Sequence, residues 1–140
     1  MNPVNRAAFV DTAFFVGLID PRDAYADQAH AVADNFGAIQ IPLVTTTAVL
    51  IEVGNYFARS PHRAQAIKVI ESVRASPMWE VVELTHDLIA RAEQRYRRFA
   101  DKNWSLTDCI SMEAMADRRI RQVATTDRGF EQAGFDVLMA

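Results

Sequence analysis

Cysteine, histidine and long apolar runs are scarce in this chain. Cys109 is the only cysteine, which excludes an intramolecular disulfide and a metal site built from several cysteines, and it fits a reducing compartment. The three histidines show no metal-ligand spacing. The longest apolar run, 13–19, is far too short to cross a bilayer, and the start of the chain lacks the pattern of a signal peptide. We therefore expect a cytoplasmic protein with no membrane partner.

Glycine and proline are also few, with five of each in 140 residues, and no repeat, low-complexity stretch or linker interrupts the chain. We predict short connections and a single domain over 1–140. The formal net charge of −3 disfavours a non-specific nucleic-acid binder. If four of the negative charges surrounded metal ions, the net charge would be −1 with one bound dication and +1 with two. A polyanionic substrate is therefore not excluded.

Strands alternate with helices along the predicted chain. The apolar runs 7–10 and 122–125 are typical of short buried strands, so the pattern predicts an α/β protein, a three-layer α/β/α sandwich with a short, mostly parallel sheet. In the helix 85–100 we expect Tyr96 to face inward. The other predicted strands are 39–44, with Pro42 at an edge or strand start, 79–84 and 135–138. The other predicted helices are 13–18, 24–36, 46–59, 61–75, 105–119 and a short one near Phe130.

Three aspartates stand at the ends of predicted elements. Asp11 and Asp127 follow predicted strands, and ligands of parallel sheets bind beyond the carboxyl ends of strands. Each aspartate also has an ordinary explanation. Asp11 could cap a helix, Asp127 lies in an Asp-Arg-Gly turn, and Ser105-Leu-Thr-Asp108 matches the capping-box pattern. Taken singly, none of them establishes a site.

Glu52 is a fourth acidic residue, in the apolar helical segment 49–53. No lysine or arginine lies three or four positions away to pair with it. Burying an unpaired carboxylate costs several kcal/mol or raises its pKa. We expect a buried glutamate with a partner elsewhere in the fold, and an edge position that reaches water is the alternative. If the four acids converge, a divalent cation is the simplest countercharge.

The order strand-Asp, helix-Glu, helix-start-Asp, strand-Asp resembles the four acidic blocks of PIN-domain nucleases. The resemblance spans nearly the whole chain, and the size and architecture are most similar to the VapC toxins of bacterial toxin–antitoxin pairs. The four blocks are Phe9-Val-Asp11-Thr-Ala-Phe, Thr47-Ala-Val-Leu-Ile-Glu52-Val, Ser105-Leu-Thr-Asp108-Cys-Ile-Ser and Ala124-Thr-Thr-Asp127-Arg-Gly-Phe.

The resemblance implies a metal-dependent endoribonuclease that hydrolyses RNA phosphodiester bonds with a metal-activated water. It also implies a homodimer controlled by a VapB-like antitoxin. One or two Mg²⁺ or Mn²⁺ ions would suit the site, because hard cations prefer carboxylate oxygens. Glu52 would bind through water or orient the site. The catalytic and metal-binding residues would be Asp11, Glu52, Asp108 and Asp127. Hydroxyls that could contact water or substrate belong to Thr12, Ser105 and Thr126.

Two groups of arginines could contact RNA phosphates, although a solvated helix face is the interpretation we favour for both. They are the stripe Arg91, Arg95 and Arg98 and the cluster Arg118, Arg119 and Arg121.

Other functions remain open. An inactive PIN-like binding or scaffold protein is one alternative, although all four acidic positions are filled. A PIN ribonuclease that acts in RNA processing outside a toxin–antitoxin pair is another. A phospho-acceptor receiver domain is disfavoured because it needs a lysine near the end of a late strand, and Lys68 and Lys102 are the only lysines. A haloacid-dehalogenase-type phosphatase is disfavoured because no second aspartate lies two residues after Asp11.

Overall fold

A five-stranded sheet and seven helices are formed by residues 5–139, which the computed structural model describes. The strands are β1 (Asn5–Val10), β2 (Leu43–Thr46), β3 (Trp79–Val82), β4 (Ile120–Ala124) and β5 (Asp136–Val137). The helices are α1 (Thr12–Ile19), α2 (Ala26–Ile39), α3 (Thr47–Tyr56), α4 (Arg63–Ala75), α5 (His86–Arg98), α6 (Leu106–Arg118) and α7 (Gly129–Gln132).

The sheet has the strand order β3-β2-β1-β4-β5, and every neighbouring pair is parallel. The predicted α/β fold with a short, mostly parallel sheet is confirmed, and the sheet is wholly parallel. From β1 the chain adds β2 and β3 on one side of the sheet, and it then adds β4 and β5 on the other side of β1. The strand order therefore reverses between β1 and β4, where the Asp11 amide donates to the Ala124 carbonyl at 3.1 Å. Ligands of such sheets bind beyond the strand ends at this reversal.

The core lies around β1, whose residues 7–10 are all buried. Burial on both faces explains why this strand is continuously apolar and does not alternate. Cys109 is also buried. Within residues 5–139, no helix is both long and apolar enough to span a bilayer. The largest fully buried side chains are Phe9, Phe15, Phe57, Phe130, Met112 and Met115.

The boundary between α2 and β2 differs from the prediction. The helix does not stop at Gly37 but continues to Ile39, and Gln40 ends it in the left-handed conformation with φ of 51°. The predicted strand start at Ile39 is therefore wrong. The strand begins after Pro42, because β2 lies between two other strands and a proline inside it would remove a ladder hydrogen bond.

Tyr96 does not face inward, which corrects the prediction for α5. Leu88 and Ala92 of this helix are buried, but Tyr96 is 53% exposed. The neighbouring Arg95 is the residue turned toward α6, where its Nε donates to Glu113 at 2.6 Å. The last turn of α5 thus carries an ion pair on its inner side and an aromatic ring on its outer side.

Two arginines of the predicted stripe join α5 to α6. Arg91 donates to Glu113 at 3.1 Å and, through two nitrogens, to Asp117 at 3.0 and 2.8 Å, while Arg95 also pairs with Glu113. The hydrogen bonds to Asp117 and to Asp87, which accepts from the Arg91 Nε at 2.9 Å, raise the pKa of Arg91, and together with Glu113 these acids occupy its donors. In the second cluster, Arg118 makes a two-pronged pair with Glu80 at 2.8 Å. Arg91, Arg95 and Arg118 therefore form ion pairs within the fold, which compete with any contact to phosphate.

Candidate metal centre

Four carboxylates separated widely in sequence line one cleft of about 560 Å³. Asp11 follows β1, Asp127 lies three residues after β4, Glu52 projects from α3, and Asp108 lies in the first turn of α6. The cleft therefore opens where the strand order reverses, beyond the carboxyl ends of β1 and β4. The fold brings together the four acidic positions singled out in the sequence.

Asp11 is the most deeply placed of the four, with 6% of its surface exposed. It occupies the N-cap position of α1, but its side chain makes no capping hydrogen bond. Its Oδ2 instead accepts a hydrogen bond from the Thr125 hydroxyl at 2.7 Å. Burial raises the pKa of Asp11 to about 6, opposed by the Thr125 bond and reinforced by the charges of Glu52 and Asp127. Helix capping therefore does not account for this residue.

Asp108 both caps α6 and faces the cleft. Its Oδ2 accepts from the Ser105 amide at 3.0 Å, and its own amide donates to the Ser105 hydroxyl at 2.9 Å, which completes a capping box. Burial raises the pKa of Asp108 to about 7, and the charges of Asp11 and Asp127 add to the effect. The capping explanation is correct. The capping hydrogen bonds hold the carboxylate at the rim of the cleft, and they leave it able to bind a metal ion as well.

Asp127 is exposed and is held by the turn that follows β4. Its Oδ1 accepts from the Gly129 amide at 2.8 Å, and its own amide donates to the Thr125 hydroxyl at 3.1 Å. A Cβ atom on Gly129 would lie 2.9 Å from the Trp104 ring and 3.0 Å from Asp127 Oδ1. Glycine therefore lets this turn close against Trp104 while the carboxylate stays in the cleft.

Glu52 is exposed, so the expectation of a buried glutamate is wrong. The apolar neighbours Val49 and Val53 turn into the core, and Glu52 emerges on the side of α3 that faces the cleft. Its Oε1 accepts a hydrogen bond from the Thr12 hydroxyl, which supplies the predicted partner. Water at the mouth of the cleft solvates the charge, so burial imposes no large cost.

The remaining predicted hydroxyls also line the cleft. Thr12 holds Glu52, Ser105 caps α6, and Thr126 is half-buried beside Asp127. Sequence reasoning missed Thr125, whose fully buried hydroxyl contacts Asp11 and the Asp127 amide. A threonine at the carboxyl end of an apolar strand is the available signal, because a buried hydroxyl needs a polar partner. The other polar or aromatic lining residues that the sequence did not single out are Asp23, Tyr25, Tyr56 and Asn103.

The chemistry of the cleft suits a divalent cation. Among residues 5–139, five acidic side chains line it, and no lysine, arginine or histidine does. Burial, reinforced by the charges of neighbouring acids, raises the pKa values of Asp11 and Asp108, so a nearby cation would favour their ionised forms. In residues 5–139, no three acidic, histidine or cysteine side chains are already arranged to hold an ion. Binding would therefore require carboxylate rotations, for which Glu52, Asp108 and Asp127 each keep one oxygen outside the hydrogen bonds described above.

The family profile of the PIN domain matches residues 8–136. The chain belongs to the PIN-domain family. The resemblance found in the acidic blocks is thereby confirmed across nearly the whole sequence.

This PIN domain is 30% identical over 129 residues to the 23S rRNA-specific endonuclease VapC20 of Mycobacterium tuberculosis (strain CDC 1551 / Oshkosh). That alignment covers 91% of this chain and 94% of VapC20. The crystal structure of M. tuberculosis VapC20, described as a sarcin–ricin loop cleaving toxin, superposes with a TM-score of 0.79 and 26% identity over 91% of this chain and 95% of that one.

More distant solved structures share the fold. DNA-bound VapBC from Salmonella typhimurium matches with a TM-score of 0.66 and 13% identity, over 96% of this chain and 97% of that one. FitAcB from Neisseria gonorrhoeae also gives a TM-score of 0.66, at 16% identity over 94% of this chain and 96% of that one. At these identities the similarity establishes the architecture alone.

Proposed function

We propose that this protein is a metal-dependent endoribonuclease and the toxin of a VapBC-type toxin–antitoxin pair. The observation that carries the proposal is the convergence of four carboxylates in one cleft, which no basic side chain in the described part of the chain lines. The 30% identity to VapC20, which is named a 23S rRNA-specific endonuclease, supports RNA as the substrate and structured ribosomal RNA as its class. The VapBC architecture of the more distant structures supports an antitoxin as the partner.

Asp11, Asp108 and Asp127 would bind Mg²⁺ or Mn²⁺ directly, and Glu52 would orient water at the mouth of the cleft. The chemistry that a bound dication supplies is a lowered pKa for the attacking water and neutralisation of charge on the phosphate. The protein keeps the ligands in place with hydrogen bonds from neighbours: Thr125 holds Asp11, Ser105 holds Asp108, and the Gly129 amide holds Asp127. Such supporting contacts orient metal ligands and tune their basicity.

The direct test is cleavage of a hairpin RNA that contains the sarcin–ricin loop by the purified protein. We expect cleavage in Mg²⁺ or Mn²⁺ and its loss in excess EDTA, with recovery when the metal is restored, because the cleft has carboxylates and no basic group to activate water or stabilise the phosphate. Product ends would be mapped by sequencing. Equal cleavage with and without EDTA would contradict metal dependence, and no cleavage of this RNA or of total cellular RNA would favour the inactive binding protein.

Thr125→Val should shift the pH profile of cleavage. The substitution keeps the shape of the side chain but removes the donor to Asp11, so the pKa of Asp11 should rise further above its ordinary value. Metal binding needs the ionised carboxylate, so the acidic limb of the rate profile should move to higher pH, and activity at pH 7 should fall by about 10–100-fold.

Thr45→Val is the matched control for this experiment. Thr45 is also fully buried, and its hydroxyl donates to the Val10 carbonyl at 2.8 Å without contacting a carboxylate. It should lose a comparable amount of stability and keep the pH profile of the unmodified protein. Identical profiles for Thr125→Val and Thr45→Val would show that Thr125 does not tune the site.

A further inference from the structure

A second groove, of about 840 Å³, joins the acidic cleft on the side of the α5–α6 connection. Asn103 and Ser105 line both the groove and the cleft, so the two are continuous. We call it the α5–α6 groove. The charged and aromatic residues that line the groove are Glu93, Tyr96, Arg97, Lys102 and Trp104.

The cleft by itself repels a nucleic acid. Its lining, as far as residues 5–139 form it, carries five acidic side chains and no basic one, and bound dications would cancel only part of that charge. Phosphate contacts to lysine and arginine supply most of the sequence-independent affinity of proteins for nucleic acids. Affinity for RNA must therefore come from a neighbouring surface, and the α5–α6 groove carries Arg97 and Lys102 against a single acid, Glu93.

The Arg97 guanidinium is free to bind a ligand, whereas the other arginines of α5 already have partners within the fold. Helical spacing turns Arg91 and Arg95 toward the acids of α6, and the Arg98 guanidinium lies 5.3 Å from the centre of the Phe99 ring. Within residues 5–139, Arg97 has no carboxylate within 4.0 Å, although Glu93 is one helical turn away. Lys102 has only the exposed Asp101 at 3.5 Å, a pair worth little in water.

Tyr96 adds an aromatic surface to the same groove. Its ring is 53% exposed, although the sequence led us to expect it in the core. Trp104 lies beneath, buried against Phe99 with ring centres 5.0 Å apart and with its Nε1 donating to Gln132 at 3.2 Å, so it is not free to rearrange. An exposed aromatic ring next to one unpaired and one weakly paired cation is a combination that can stack an unpaired base between two phosphate contacts.

We propose that the α5–α6 groove is the RNA-binding track of this enzyme, in which Arg97 and Lys102 bind phosphates and Tyr96 stacks an unpaired base beside the scissile position. The inference rests on the proposed ribonuclease function. RNA fits the groove better than an acidic protein segment does, because the aromatic ring accompanies the cations and the groove leads directly into the cleft. The arginine of α5 that we assign to RNA binding is thus Arg97, which lies on a different side of the helix from the stripe considered in the sequence analysis.

Binding is measured by fluorescence anisotropy with a labelled hairpin RNA carrying the sarcin–ricin loop, in EDTA and in an Asp11→Asn background that does not cleave. Arg97→Gln combined with Lys102→Gln should raise Kd by about 10-fold at low salt, and the slope of log Kd against log salt should fall by about 1.4, or 0.7 for each lost contact. Tyr96→Ala should raise Kd by about 5–10-fold, and Tyr96→Phe should not change it.

The matched control is the double variant Lys68→Gln and Arg59→Gln, which removes the same charge at exposed positions that line neither the groove nor the cleft. Its Kd should stay within about twofold of the starting value. If groove and control variants lose the same affinity, the effect is one of net charge and the proposal fails. It also fails if the groove variant keeps its RNA affinity but loses binding of polyglutamate, which would assign the groove to an acidic protein segment.

Steady-state cleavage kinetics distinguish a wrong assignment of the groove from a wrong assignment of ribonuclease activity. In the otherwise unmodified enzyme, the Arg97→Gln and Lys102→Gln pair should raise KM by about 10-fold with kcat within about twofold, since the groove binds RNA and does not touch the reacting phosphate. If the unmodified enzyme cleaves RNA and the pair leaves KM unchanged, the groove assignment is wrong. If the unmodified enzyme cleaves no RNA, the proposed function itself is wrong.

Discussion

Replacing Asp108 with asparagine will reduce RNA cleavage by at least about 100-fold and will also make the metal-free protein more stable. Loss of a group that merely supports a metal ligand costs about 10–100-fold, so loss of a ligand should cost at least that much. The asparagine carbonyl can still accept the hydrogen bond from the Ser105 amide, so the capping box of α6 is preserved. Activity is measured on the hairpin RNA and stability by thermal unfolding in EDTA.

The gain in stability follows from the direction of the pKa shift. The pKa of Asp108 is raised to about 7 in the folded protein, from 3.8. Its contribution to stability is therefore fully present below pH 3.8 and is lost as the pH rises through 7. At pH 8 the ionised carboxylate opposes folding, and asparagine removes that cost. We expect the free energy of unfolding to rise by about 1–2 kcal/mol, which corresponds to about 3–6 °C in Tm. This value is smaller than the full pKa shift implies, because the carboxylate is partly exposed to solvent.

Asp34→Asn is the control, since Asp34 is an exposed aspartate of α2 that lines neither the cleft nor the groove. It should change neither cleavage nor Tm appreciably. An Asp108→Asn protein that cleaves RNA at the normal rate would remove Asp108 from the site. An inactive variant with a lowered Tm would mean that the loss of activity comes from damage to the fold and not from the missing charge.

Addition of Mn²⁺ or Mg²⁺ should raise the melting temperature of the unmodified protein by about 5–10 °C at pH 8. A ligand present at about 100 times its Kd stabilises the folded state by about 2.7 kcal/mol, and each kcal/mol corresponds to about 2–4 °C in a domain of this size. The gain should be small at pH 5, where protons occupy Asp11 and Asp108 in the folded state, and should reach its full value above their pKa values of about 6 and 7.

The control for this measurement is the double variant Asp11→Asn and Asp108→Asn. It should start with a higher Tm in EDTA at pH 8 and gain almost nothing from the metal, because the two carboxylates that carry the uncompensated charge are gone. A metal-induced rise equal to that of the unmodified protein would place the ion elsewhere. A rise that is as large at pH 5 as at pH 8 would contradict the assignment of Asp11 and Asp108 as ligands.

The parts of the fold that could be predicted are those in which local pattern and tertiary environment agree. β1 is apolar because both of its faces are buried, so its end at Asp11 could be placed from the sequence. In β4 only the last residues, 123 and 124, continue this buried apolar pattern, so the end of the strand before Asp127 could be placed, whereas Arg121 and Gln122 obscure its start. The capping box at Ser105 was visible because its hydrogen bonds are local.

Other features depend on contacts that a single sequence does not display. Glu52 was expected to be buried because its sequence neighbours are apolar, but the helix turns it toward the cleft and to Thr12. Tyr96 and Arg95 are adjacent, and the acid that selects Arg95 for the inner side is Glu113, 18 residues further on. The bond between Thr125 and Asp11 spans 114 residues. Long-range pairing of this kind decided these three cases.

The most direct measurement of the central claim is a crystal structure of the unmodified protein grown with Mn²⁺ at pH 8, with anomalous scattering used to locate the ion. The proposal predicts an anomalous peak in the cleft, at about 2–2.5 Å from carboxylate oxygens of Asp11 and Asp108 and with Asp127 bound directly or close by. A fully occupied ion elsewhere on the protein, or an empty cleft at a Mn²⁺ concentration that supports cleavage, would contradict it.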